Sequence, residues 1–210
     1  MVSPRLSTRA ASIRAARSDR ARGAGLRTKD LAYVAVFAAI MVVLGLFPPI
    51  AVPFLPVPVT AQSLGVMLAG SIIGARRGAL AMLVVVLMAA VGLPVLAGGR
   101  GGIGIILGPT GGYIVGWVFG ALVVGLITER VWRHYNLGWA VLANVVGGIG
   151  VVYAFGIPWT AVVSGLPLLP VAAASAIFLL GDLAKVAIAA AAAVAVRRAY
   201  PVIEAAPQRA

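Results

Sequence analysis

The sequence predicts an all-α integral membrane bundle of six transmembrane helices, with both termini cytoplasmic and irregular Pro/Gly-rich outer loops. Three observations carry this. The 210 residues are 62% hydrophobic and only 10% charged, with a mean hydropathy of +1.07, more apolar surface than a soluble domain of this length can bury. Six apolar segments, at 31–47, 59–75, 78–96, 111–128, 137–155 and 168–196, each approach the length of a spanning helix. The breaks between them alternate, basic on one side and rich in proline and glycine on the other.

Seven of the seventeen basic residues lie in the first 27 positions, and Lys29 follows. This stretch is rich in Arg, Ala and Ser with Asp19 its only acid, a composition shared by transit peptides and disordered tails. It is read as a disordered basic cytoplasmic tail, 1–29, before a membrane domain at 30–198 and a cytoplasmic C-terminal tail at 199–210. The first apolar segment runs into FPPIAVPFLPVP at 47–58, apolar and poor in backbone donors. Such a stretch is expected to dip back into the membrane or cap a cavity. Arg76 and Arg77 separate the second and third segments, Glu129, Arg130 and Arg133 the fourth and fifth, and Arg197–Arg198 follow the sixth. The remaining breaks, 48–58, 94–110 and 156–167, carry Arg100 as their one charge. Basic loops stay cytoplasmic, so all of these breaks agree on six crossings with both termini inside.

The formal charge of +12 does not mark a nucleic-acid protein, because the basic residues sit in the tail and at segment ends, where they encode topology. The chain has no cysteine and a single histidine, His134, which excludes disulfides, thiolate chemistry and any histidine or cysteine metal cluster. Ser63, Ser71, Ser164 and Ser175 lack a base, since His134 falls on the opposite side, so a serine hydrolase is excluded. No internal repeat stands out, against an inverted-repeat transporter.

Asp182 and Lys185 lie three residues apart within an otherwise apolar segment. At that spacing they share a helix face and can meet each other or one ligand. Ionisable residues at membrane depth are expensive, and a buried ion pair adds little stability over an apolar replacement, so their presence points to binding. The 92–104 stretch matches a dinucleotide fingerprint at Gly99, Gly101 and Gly104. It lacks the flanking strand and downstream acid that the fold requires, and no Walker lysine follows. What remains is a flexible outer loop leading to a helix start near Gly111, whose free N–H groups suit an oxygen ligand. Arg100 either clamps a carboxylate or is a solvated loop residue. Tyr113, Trp117, Tyr153 and Trp159 are read first as interface anchors, with ligand stacking the second reading. Ala35 and Ala39 form a small face that permits close helix approach, within the bundle or with a partner.

Four motifs then converge: PVPVTAQSLGVMLAG at 56–70, GLPVLAGGRGG at 92–102, GPTGGY at 108–113 and GDLAK at 181–185. In this order they resemble the BioY family, the biotin-binding membrane subunits of energy-coupling factor transporters. The resemblance implies a non-enzymatic six-helix subunit that captures biotin near the outer leaflet of the bacterial plasma membrane. It implies no cofactor; the partners are a coupling transmembrane subunit, two cytoplasmic ATPase subunits and the lipid bilayer, with no nucleic acid. Asp182 and Lys185 match the family's binding motif, the first suited to accept from ureido N–H groups and the second to donate to a carbonyl or carboxylate. Either Arg100 or the backbone N–H groups around Gly111 are expected to take the anionic end, and Gly98, Gly99 and Thr110 are expected among the ligand-binding residues. Tyr113 and the 56–62 segment, Gln62 included, are expected to line or lid the pocket, and Ala35 and Ala39 to face the coupling subunit. The alternatives are a subunit for another vitamin, such as thiamine or riboflavin, or an intramembrane lipid-modifying enzyme using Asp182 as base.

Overall fold

The computed structural model describes residues 27–203; most of the expected tail at 1–29 and the end of the expected tail at 199–210 lie outside them. The chain divides into two compact units, Met1–Ala32 and Tyr33–Ala210. In the first, the backbone N–H of Arg27 donates to the Asp30 carboxylate at 2.8 Å, closing the start of helix α1 (Thr28–Gly45). In the second unit, the named elements of the described residues are all helices, joined by irregular segments that carry two isolated β-bridges at Ile50–Val59 and Leu96–Arg100. Its further helices are α2 (Gln62–Ile73), α3 (Ala75–Ala90), the short α4 (Ile103–Leu107), α5 (Gly111–Arg130) and α6 (Leu137–Ala143). A π-helical segment, Asn144–Val151, joins α6 to α7 (Val152–Ser164), followed by α8 (Leu168–Ser175) and α9 (Ile177–Ala199).

Four helices among the described residues are long and apolar enough to cross a membrane: Thr28–Gly45, Gly111–Arg130, the continuous Leu137–Ser164 and Ile177–Ala199. Helices α2 and α3, at 12 and 16 residues, rise only about 18 and 24 Å, short of the roughly 30 Å hydrocarbon core. The expected segments 59–75 and 78–96 are therefore only partly helical. Between them Gly74, at φ +85°, turns the chain in one residue, so Arg76 and Arg77 fall in the first turn of α3 instead of a loop. Cations there oppose the helix dipole. The carboxylate of Glu129 offsets this, because its Oε1 accepts from the Ala75 N–H at 2.8 Å.

The outer end departs further from the expected bounds. The fifth segment was expected to stop at 155 but continues through Gly156 and Pro158 to Ser164, ending on Gly165 at φ +64°. The Leu166 N–H bonds back to Ala161 O at 3.0 Å, a left-handed C-terminal cap. The sixth segment is not one helix: it breaks at Ala176, where the Ser175 hydroxyl donates to Val171 O at 2.8 Å. Such back-bonding bends helices.

Helix α5 is the hub, with 61% of its span buried against 33% for α1 and α9. Gly112, Gly116 and Gly120 line one of its faces, where any Cβ would press into Trp159, Val152 or the Gly147 carbonyl. Small residues every fourth position let α5 approach the π segment and α7 to backbone distance. The core around it joins Met41, Val66, Ala69, Met82, Val85 and Ala121.

Candidate functional site

At the end of the bundle that carries the Pro/Gly-rich breaks, a cavity of about 680 Å³, measured out to its mouth, opens between the 57–60 segment, α2, the 96–100 loop, α5, α7 and α9. Its lining is mostly apolar with a few convergent polar groups, the character of a small-molecule site. Asp182 and Lys185 project into it from α9. The carboxylate of Asp182, 5% exposed, accepts from three donors. Lys185 Nζ and Ser63 Oγ each reach Oδ1 at 3.0 Å, and Tyr153 Oη reaches Oδ2 at 2.7 Å. A carboxylate offers about four acceptor positions, so one on Oδ2 has no donor among the described residues.

Lys185 also donates to Thr60 O at 2.7 Å and Ser63 Oγ at 2.9 Å. Its three ammonium hydrogens thus have three acceptors in the protein, and it ties α9 to the mouth of α2. It reaches a ligand only by releasing one of them. Arg100 differs: Nε donates to Ala97 O at 3.0 Å, and its terminal nitrogens have no hydrogen-bond partner among the described residues. The cavity therefore carries a pinned acid on one wall and a guanidinium fork with free donors on another. Among the described residues no group of His, Cys, Asp and Glu could hold a metal ion.

Between these poles the lining is aromatic. Tyr113, Tyr153 and Phe178 meet pairwise edge to face, with ring centroids 6.0 to 6.5 Å apart, a preferred geometry for rings. The hydroxyl of Tyr113 is 3.2 Å from Ser175 Oγ. Ser175 already donates to Val171 O, so Tyr113 is the donor of the pair. Tyr113, Trp117 and Tyr153 line the cavity, so for these three the interface-anchor reading is corrected. Trp159 instead donates from Nε1 to Gly108 O at 2.9 Å.

Of the residues expected at the site, Asp182, Lys185, Arg100, Thr110, Tyr113 and Gln62 line the cavity. Gly98, Gly99 and Gly111 do not. A Cβ on Gly111 would run into Ile106 O and the Trp159 ring nitrogen, because that helix start is packed against its neighbours. Gly98 and Gly99 adopt φ of +77° and +67°, which turns the loop that presents Arg100. Thr60 lies in the 56–62 segment expected to line the pocket, whereas Ser63 and Phe178 were not expected to bind. Ser63 was considered only as a nucleophile, and its spacing from Asp182, 119 residues away, gave no local signal.

Gln62 is 1% exposed, and its amide is committed within the protein. Nε2 donates to Met41 O at 3.2 Å and Val95 O at 3.0 Å, while Oε1 accepts from the Ala97 N–H at 2.9 Å. It clasps the Arg100 loop to α1 and α2. Gln62→Ala leaves the buried Val95 carbonyl and Ala97 N–H unpaired, at about 1–3 kcal/mol each. Its unfolding midpoint in detergent is expected to fall and proteolysis of the 93–100 loop to accelerate; unchanged melting and cleavage would contradict the clasp.

Fold and site together define a helical membrane protein with a mostly apolar cavity that carries an acid on one wall and a guanidinium on another. The family model described as the BioY family matches residues 15–202, nearly the whole chain. The biotin transporter BioY of Rhizobium etli is 50% identical over 185 residues, covering 86% of this chain and 99% of the relative. That of Rhodobacter capsulatus is 46% identical over 169 residues, covering 76% and 88%. A crystal structure of the S-component for biotin from an ECF-type ABC transporter superposes with a TM-score of 0.79 at 29% identity, covering 83% of this chain and 95% of that one. This chain belongs to the BioY family.

Proposed function

We propose that this chain is a biotin transporter subunit: it captures biotin at the outer side of the bacterial plasma membrane and delivers it inward without chemistry of its own. The observation that carries the reading is the pinned Asp182 carboxylate facing an aromatic cavity that also holds the open guanidinium of Arg100. Biotin has a ureido ring with two N–H donors, an apolar thioether body and a carboxylate tail. The free acceptor position on Asp182 suits a ureido N–H. The Tyr113, Tyr153 and Phe178 rings suit the bicycle, and Arg100 suits the carboxylate as a bidentate partner. Thr110 and Gln62 complete the lining, with Lys185 holding the wall and Gly98, Gly99 and Gly111 shaping the backbone around it.

The proposed topology has six crossings, made by α1, α2, α3, α5, the α6–α7 rod and the α8–α9 pair, with the tails 1–29 and 199–210 cytoplasmic. Arg76, Arg77, Arg130, Arg133, Arg197 and Arg198 at one end of the bundle support it. Ala35 and Ala39 are exposed on α1, which supports a face for a coupling transmembrane subunit that two ATPases drive. Titration calorimetry on the detergent-purified chain is expected to give tight one-to-one biotin binding. Excess thiamine or riboflavin is expected not to compete, and competition would move the assignment to another vitamin. Arg100→Ala is expected to weaken biotin about 10- to 100-fold, the loss of charge-assisted bonds worth about 1.5–3 kcal/mol, while leaving affinity for a neutral biotin amide within about threefold. Equal losses for acid and amide would remove Arg100 from the carboxylate.

A further inference from the structure

We propose that residues 50–59 form a wedge that seats Phe54 in the acyl–headgroup boundary of the membrane, so that lipid is the partner of this hairpin. The segment is a tight antiparallel turn. Ile50 and Val59 exchange both backbone hydrogen bonds at 2.9 Å, and the Leu55 N–H closes on Val52 O at 3.2 Å. In that four-residue turn Pro53 is second and Phe54 third, at φ +74°. This is the pattern of a type II turn, whose third position favours glycine because a side chain strains a left-handed backbone. Phe54 is the one non-glycine residue with positive φ among the described residues, and its ring is 97% exposed.

The hairpin is not loose. Leu55 and Val57 beside the tip are buried in the core, so the inward residues bolt it down while the strained one is held outward. Nothing in the protein covers the ring, and a bulky apolar side chain in a glycine position has no use in water. Something apolar outside the chain accounts for it.

Lipid is that partner on two grounds. First, no charged residue occurs anywhere from Leu31 to Ala75, whereas the polar rim of a protein interface would require polar or charged groups. Second, the exposed surface is continuous with a membrane-facing helix. Val36, Val43, Leu46 and Phe47 mark the outward stripe of α1 and its end, and Ile50 and Phe54 extend it without interruption, each more than half exposed. An aromatic ring at the end of a spanning helix belongs at the membrane boundary. The leaflet, the outer one, follows from the topology proposed above. The returning arm of the wedge, 57–60, is also a wall of the cavity, and Thr60 O receives Lys185. Lipid contact at the tip therefore steadies the roof of the site.

The chain has no cysteine, so Phe54→Cys and, separately, Ile50→Cys each give one labelling site. With a nitroxide attached and the full chain in phospholipid nanodiscs, collision with oxygen is expected to exceed collision with an aqueous nickel chelate several-fold. The same label at Val43→Cys on the α1 stripe supplies the membrane reference. Chelate collisions equal to or above those of oxygen at both positions would overturn the wedge. So would a label shielded from both, which would mean that protein covers the hairpin. Ile50→Cys leaves the turn residues intact, so a folding defect at position 54 does not decide the outcome, and neither reading depends on which ligand the cavity takes.

Discussion

Asp182→Asn is expected to weaken biotin binding by about 10- to 100-fold, the value of one charge-assisted hydrogen bond of about 1.5–3 kcal/mol. The physical reason is donor convergence. Ser63, Lys185 and Tyr153 all point hydrogens at this one carboxylate, which keeps it fixed and leaves one acceptor position for the ligand. In asparagine the nitrogen replaces one oxygen, so it meets either Tyr153 or the Ser63–Lys185 pair with hydrogens of its own, and the ligand loses its anionic acceptor. Stability falls too. Lys185 has a side chain only 14% exposed, and removing its counter-ion leaves a cation in a mostly apolar site, a change that costs several kcal/mol where the pair is fully buried and less here. Asp182→Asn with Lys185→Met is therefore expected to recover much of the melting temperature without recovering affinity, since the unpaired cation is gone but the acceptor is still missing. Calorimetry and thermal unfolding on both variants separate the effects. A double variant that regains both would make the pair a structural strut and not a ligand site.

The sequence was most legible where chemistry and hydropathy conflict. Two opposite charges three residues apart inside an apolar stretch stand out whatever the fold, and both line the cavity. Arg100 was visible for the same reason, as the single charge among the proline- and glycine-rich breaks. The membrane class followed from apolar content alone. The spanning limits were harder to read, because helix ends here are decided by tertiary contacts. Gly74 ends α2 because a carboxylate from another helix caps the next one, and Ser175 breaks the last segment through a bond to its own preceding turn. Pro158 signals a break, yet lies inside α7. The rest of the cavity was hidden by distance along the chain. Tyr153 looks like any interfacial tyrosine until α7 brings it to Asp182, and Ser63 gains a role only when α2 and α9 meet. Gln62 was picked out by its resemblance to a family motif, but only the packed structure reveals the Arg100 loop hanging from its amide.

Gly125→Ala is expected to lower the stability of the folded chain by at least about 2 kcal/mol, at the upper part of the range for overpacking a close contact. A Cβ at this position of α5 would overlap the backbone of Gly74 and Ala75. Backbone cannot rotate aside as a side chain can, so the α2–α3 turn must move as a piece. That turn is fixed by the left-handed φ of Gly74 and by the Glu129 bond to the Ala75 N–H, and displacing it would also uncap α3 and expose its basic first turn to an uncompensated dipole. The midpoint of thermal unfolding in detergent should drop by about 4–8 °C. Gly104→Ala provides the comparison: nothing lies within 4 Å of a Cβ there, and a helical alanine is favoured over glycine by up to about 1 kcal/mol, so that variant should melt no lower than the parent. The Gly125 contact is at the basic end of the bundle and the cavity at the other, so folded Gly125→Ala protein should bind biotin within about twofold of the parent. If Gly125→Ala melts with Gly104→Ala, the turn is free to move and the close approach of α5 to it is not what sets the spacing of these helices.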